Sequence, residues 1–182
     1  MEKISHVPLT ESIEDMTKEE LLNFVTDLSK RWLAHDGLWF QAAEKKYGME
    51  AAIELDTMAW EKFTEIEAKR IMKFLNLPQN GGLISLAKAL QFRLYSFINE
   101  QEIDWISNKK IVFRMTNCRV QAARRRKNMP DFPCKSVGIV EYTGFARTID
   151  KRIETKCIGC PPDEGIAGVK DYFCAWEFTL NE

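Results

Sequence analysis

The spacing of apolar residues changes a little past residue 100, and that change confines the chain to a fold in which helices come first and a sheet follows. Before that point apolar residues recur three and four apart. Leu21, Leu22, Val25, Leu28, Trp32 and Leu33 form one such stripe. Thr17-Lys18-Glu19-Glu20 ahead of it is a capping box, with Thr17 as N-cap and Glu20 reaching back. His35-Asp36-Gly37 is expected to break or bend this helix. A second helix is predicted from Leu38 to Tyr47, stopped by Gly48, a residue that tolerates the left-handed turn past a helix end. A third spans about 50–76 and ends before Pro78. Gln79-Asn80-Gly81-Gly82 turns the chain, and a fourth helix covers about 83–99, with Leu83, Leu86, Leu90, Leu94 and Phe97 along one side.

Past about residue 103 the period becomes two. Ile111, Phe113 and Met115 share one face of a strand over Lys110–Asn117. A short helix follows over Cys118–Lys127, and Met129-Pro130-Asp131-Phe132-Pro133 interrupts the chain. A longer helix runs from about Cys134 to Ile149. Arg152–Cys157 and Tyr172–Leu180 read as two strands joined by a loop that contains Pro and Gly. The predicted organisation is a lead-in over 1–16 and one α+β domain over 17–182, helical from 17 to 100 and cysteine-rich and sheet-containing from 101 to 182.

Composition removes several classes of function. The 182 residues, 45% hydrophobic and 29% charged, suit one soluble globular core. Lys+Arg 26 against Asp+Glu 27 leaves a net charge of -1, so no overall field draws the chain to nucleic acid or to an anionic membrane. The Arg124-Arg125-Arg126-Lys127 run reads as a solvated helix face for the same reason. No apolar run approaches the roughly 20 residues that a membrane helix needs, so no membrane span is expected. The polar opening Met1-Glu2-Lys3-Ile4-Ser5-His6 predicts no secretory signal. The expected location is cytoplasmic, where thiols are normally reduced.

All five cysteines fall in the last third, at Cys118, Cys134, Cys157, Cys160 and Cys174. Thiols needed only as small core hydrophobes have no reason to cluster in this way; a metal site, a redox pair or a nucleophile gives one. Strand alternation puts Cys157 on one core face and Cys174, Trp176 and Phe178 on the next. If the two strands form a hairpin, Cys157 and Cys174 come close to directly opposite, with Cβ atoms about 5 Å apart. Cys160, just past the strand end, can fold back toward them. Cys157, Cys160 and Cys174 are therefore candidate metal ligands, with Cys118 or Cys134 completing the set. Soft thiolates favour zinc, with iron as the alternative.

Cys134 follows Pro133 and suits the first turn of a helix that Asp131 can cap, where the helix dipole favours thiolate. Glu141 lies two turns further along the same face among apolar neighbours. A carboxylate there is a metal ligand, a base with a raised pKa, or the partner of an arginine. Cys134 as nucleophile and Glu141 as base are the candidate catalytic residues. In the helical half His35 and Asp36 could bind a metal with Glu44. The simpler expectation is a helix-terminal cap at Asp36 and surface carboxylates at Glu44 and Asp56. Trp32, Trp39, Phe40, Trp60 and Phe63 read first as core.

The segment from Phe132 to Leu180 resembles the 4-vinyl reductase domain family. The residues that carry the resemblance are Phe132-Pro133-Cys134, Gly138 and Gly144, Glu154-Thr155-Lys156-Cys157, and Tyr172-Phe173-Cys174-Ala175-Trp176-Glu177-Phe178. The same stretch is similar to bacterial amino-thiazoline-carboxylate hydrolase-like proteins, which open a small sulfur–nitrogen ring. Cys160 with Pro161-Pro162, and the aromatic-rich helical half, lie outside that pattern. The resemblance implies helices and a curved antiparallel sheet around an apolar cavity, similar to the nitric-oxide-signalling and Golgi-transport ligand-binding fold. It implies a lining drawn from Trp39, Phe40, Trp60, Phe92, Phe145 and Trp176, and a small apolar or heterocyclic ligand. The expected function is small-molecule binding by a cytosolic protein with a cysteine-bound metal. The alternatives are a metal- or cysteine-dependent hydrolase of a small C–N or C–S heterocycle, and an interaction module that forms a homodimer through its helices.

Overall fold

The computed structural model describes residues 12–163 and 172–182. Among these residues the order is helices α1 (Lys18–Tyr47), α2 (Met49–Leu75) and α3 (Gly82–Leu90), strands β1 (Glu100–Ser107) and β2 (Lys110–Asn117), helices α4 (Arg119–Arg126) and α5 (Lys135–Ile149), and strands β3 (Ile153–Gly159) and β4 (Cys174–Leu180). Helices precede a four-stranded antiparallel sheet of order β1-β2-β4-β3, so the chain is α+β.

The capping box starts α1. Thr17 Oγ1 accepts from the Glu20 N–H at 3.2 Å, and the Glu20 carboxylate accepts from the Thr17 N–H at 2.8 Å. The helix does not break at Gly37 but continues to Tyr47. A glycine inside a helix costs about 1 kcal/mol, which an inward stripe of Ser29, Leu33 and Phe40 packed against α2 offsets. The chain turns at Gly48, whose φ of 89° is open to glycine and strained for other residues. α3 stops at Leu90, short of the expected 99, and a single 3₁₀ turn over Leu94–Phe97 leads into β1. The lead-in is described only from Ser12, which caps a 3₁₀ turn over Ile13–Asp15; residues 1–11 lie outside the described residues.

One face of the sheet carries the core. Ile111 pairs with Phe178, Phe113 with Trp176, and Met115 with Cys174 across β2 and β4. α5 lies on that face and is itself covered by α2, which packs along α1 on its other side. Gly138 lets α5 approach closely: a Cβ there would stand 2.7 Å from Trp176 Cζ2. The Asp150 carboxylate, just past α5, accepts from the Gly82 N–H at 2.9 Å and so anchors the start of α3. β1 is an exposed edge strand that alternation does not announce, because only Gln101 and Ile103 are even half-buried.

The expected hairpin between β3 and β4 forms, with a different register. A bulge between Cys157 and Gly159 sets Cys157 opposite Trp176 and Gly159 opposite Ala175. Cys160, rather than Cys157, then falls level with Cys174. Residues 164–171 of the connecting loop lie outside the described residues.

Candidate functional site

Arg93 follows α3 and is 2% exposed. Its Nε donates to Glu67 Oε2 at 2.9 Å, and Nη1 lies 2.7 Å from Glu141 Oε1. The guanidinium also lies over four rings, at 4.7 Å from the centroid of Phe145, 5.5 Å from Tyr95 and Tyr142, and 5.6 Å from Trp60. Burial works against its charge, but Glu67 and Glu141 outweigh burial and hold it protonated. Glu141 answers to the opposite balance. Burial raises its pKa above the usual carboxylate range, although Arg93 pulls it down. Of the alternatives open for Glu141, the partner of an arginine is the one the geometry displays.

A cavity of about 390 Å³ lies beside this ion cluster and is lined by Glu141, Tyr142, Trp60 and Tyr95 on that side. Its walls come from α1, α2, α4, α5 and the ends of β2 and β4. α1 contributes Asp36 and Phe40, which continue the inward stripe of Leu33. α2 contributes Asp56 and Trp60, one turn apart and one turn on from the buried Ala52. Asp36 is therefore mid-helix and caps nothing, and Asp56 faces inward rather than out. Burial and then the charges of Asp36 and Glu141 push Asp56 up to about 7, while a hydrogen bond from Trp60 works the other way. Burial also raises Asp36, with His35 opposing.

Four thiols occupy the other end: Cys118 ahead of α4, Cys134 ahead of α5, Cys160 after β3 and Cys174 at the start of β4. Cys134 Sγ and Cys160 Sγ stand 3.4 Å apart. Local bonds explain why they meet. The Lys135 N–H donates to the Pro161 carbonyl at 2.9 Å, Lys135 Nζ to Asp163 at 2.7 Å, and the Cys160 N–H to Asp163 at 3.2 Å. These bonds pin the end of β3 onto the start of α5. Gln121, fully buried in α4, holds the approach to Cys134 by bonding both the N–H and the C=O of Phe132 at 2.9 and 2.8 Å. The neighbouring Cys134 and Cys174 thiols, and then burial, raise the Cys160 pKa. Burial raises Cys118 to about 12 and Cys157 to about 11. These three are neutral thiols at physiological pH.

Cys157 is the one proposed ligand that does not line the cavity; the β3 bulge carries Cys160 there instead. Cys118, Cys160 and Cys174 do line it, and Cys134 joins them. Among the described residues no three His, Cys, Asp or Glu side chains are arranged to hold a metal ion as they stand. The donor set has the softness that a thiophilic ion requires without the geometry of a shell.

Of the expected aromatic lining, Phe40, Trp60 and Trp176 line the cavity. Trp39 does not: one residue along the helix from Phe40, it is turned outward and 69% exposed. Phe92 is 44% exposed and packs near Phe74, and Phe145 is fully buried beneath Arg93. Asp131 does not cap α5, because it is bound to Arg125. Glu44 is unavailable to His35 and Asp36, because Arg124 clasps both of its oxygens at 2.9 Å. Arg124 is thus buried, against the expectation of a solvated basic face. Arg93 and Tyr95 belong to the candidate site although spacing did not suggest them; the one signal was an arginine inside an apolar run.

A family of unknown function, DUF6125, matches residues 14–180. The chain belongs to that family. No curated protein and no solved structure matches it. The matched span runs from before α1 to the end of β4, so the cavity walls, the Arg93 cluster and all five cysteines lie within the region that defines the family. Among the described residues no helix is long and apolar enough to cross a membrane.

Proposed function

We propose that this protein binds a small, mainly apolar molecule in the cavity between its helices and its sheet. The observation that carries the reading is the cavity itself. It measures about 390 Å³ and is walled by Phe40, Trp60, Val137 and Trp176, with carboxylates, thiols and a few basic side chains also reaching it. Pockets of this size and character are the usual seats of small ligands. A thermal-shift screen of small aromatic and heterocyclic compounds tests it. A ligand present at a hundredfold its dissociation constant stabilises the fold by about 2.7 kcal/mol. It should also quench fluorescence, since Trp60 and Trp176 are in the walls. A screen in which no compound does either refutes the reading.

The thiol end favours a second element, a thiophilic metal held by Cys134, Cys160 and Cys174 with Cys118. The support is the 3.4 Å approach of Cys134 and Cys160 at a point that Cys118 and Cys174 also line. A bound zinc or iron ion would supply a Lewis acid or a structural closure there. The thiols would have to give up their protons and draw inward to form its shell. Protein purified without chelators should carry close to one metal per chain, and Cys160→Ser should carry less. Metal-free protein in which all five thiols titrate freely would end this part of the proposal. Reduced thiols also fit a cytoplasmic place of action. A hydrolase that uses Glu141 as base is the weaker reading, because its carboxylate is committed to Arg93.

A further inference from the structure

Resting on the small-molecule reading above, we infer that the ligand is an organic cation, an ammonium on an aromatic or heterocyclic body, with its charge at Asp36 and Asp56 and its ring against Trp60 and Tyr95. The argument begins with charge. Three carboxylates line the inner end of the cavity: Asp36 from α1, Asp56 from α2 and Glu141 from α5. The buried cation beside them, Arg93, is already shared by Glu67 and Glu141. Among the described residues neither Asp36 nor Asp56 forms an ion pair. Two inward carboxylates without a counter-charge are a cost to the empty protein, and a cation that enters the cavity removes it.

Two observations independent of the carboxylates bear on the ligand, the first on its charge and the second on its ring body. Trp60 and Tyr95 stack at 6.1 Å with their planes 24° apart, and Arg93 already lies 5.6 and 5.5 Å from them, so the acidic end carries an aromatic wall whose rings already neighbour one cation. On the sheet side Trp176, 1% exposed, is a lining residue, and its indole N–H has no acceptor. Buried donors normally find a partner, and a heteroatom on the ligand body would supply one. The other cations of the lining, Lys30, Arg126 and Lys127, are exposed and stand at the rim, Arg119 is half-buried, and Arg124 is spent on Glu44. They would favour an anion instead, and the test is built to detect that.

The experiment compares three nearly isosteric probes by calorimetry at pH 8: tyramine, its neutral counterpart tyrosol, and 4-hydroxyphenylacetate. Tyramine should bind about tenfold or more tightly than either of the others, the scale of one charge-assisted contact in a half-buried site. Asp36→Asn and Asp56→Asn should each bring tyramine affinity down toward that of tyrosol measured on the same variant, with folding checked by thermal melting. Tyrosol binding as tightly as tyramine would overturn the cation inference and leave the small-molecule reading standing. Tightest binding by 4-hydroxyphenylacetate would overturn it in favour of the basic rim. No binding by any of the three would count against both.

Discussion

Replacing Arg93 with methionine should be among the most damaging single changes in the molecule, and its effect should depend on pH in a defined direction. Methionine roughly keeps the length and apolar contact of the side chain but leaves Glu67 and Glu141, 9% exposed each, without their cation. Removing one partner of a buried ion pair typically costs 3–5 kcal/mol, and the guanidinium's contacts with four rings are lost as well. A loss of about 4 kcal/mol in a chain of this size corresponds to a fall in Tm of roughly 10 °C. Burial already raises the Glu141 pKa, and without Arg93 nothing pulls it back down, so its folded pKa lies well above its unfolded one. The folded state then binds more protons than the unfolded chain across that window, so stability falls as pH rises through it. The deficit should be smaller at pH 5 than at pH 8 in urea melts. Adding Glu67→Gln and Glu141→Gln should recover most of it. A loss under about 1 kcal/mol, or one equal at the two pH values, would refute the account of Arg93 as the counter-charge of the helical layer.

Asp56→Asn tests the raised carboxyl. Its folded pKa of about 7 lies above the ordinary 3.8, so its burial weighs against the fold increasingly as pH rises from about 4 to 7. The variant should be more stable than the parent at pH 8, by about 1–2 kcal/mol once the partial exposure of the site is allowed for, and no more stable at pH 4; equal stability at pH 8 would count against the shift. Gly138→Ala puts a methyl 2.7 Å from Trp176 Cζ2, and overpacking of this kind costs roughly 1–3 kcal/mol. It should also change the near-UV circular dichroism of Trp176, and an unaltered spectrum with unaltered stability would mean that α5 is free to move away. Gln121→Leu removes the side chain that satisfies both Phe132 backbone groups and should cost about 1–3 kcal/mol. It should also raise the alkylation rate of Cys134, and an unchanged rate would show that Gln121 does not hold that approach.

Most elements could be read from the chain because their signals are local. The Thr17–Glu20 capping box, the stop at Gly48, the alternation of Ile111, Phe113 and Met115, and the start of a helix after Pro133 each involve residues a few positions apart. β1 escaped because an edge strand need not alternate when its partner β2 supplies the pairing. His35-Asp36-Gly37 has the composition of a break, but the inward stripe from Leu33 to Phe40 runs through it and keeps the helix whole. The thiol cluster was legible as a cluster, but its membership was decided by one bulged residue in β3, and a slip of that size exchanges Cys157 for Cys160. The Asp36–Asp56 end was not legible: a cap at Asp36 and a surface carboxylate at Asp56 are the expectation, and only the unbroken α1 packed against α2 turns both inward. Nor was Arg93, because Glu67 lies 26 residues before it and Glu141 in a different helix, with no pattern linking the three.

Most of the cavity wall is helix and strand, with Phe132 and three of the four thiols on the segments between, and this bears on how such a protein can diversify. Where a binding surface is carried on loops, new preferences arise by changing segments that the core does not depend on. Here Trp60, Val137 and Trp176 are at once wall and core. A mutation that reshapes the ligand seat also alters how α2, α5 and β4 fit together. Specificity should therefore drift slowly, through compensated pairs of substitutions, and retargeting by design would have to begin from a stabilised parent.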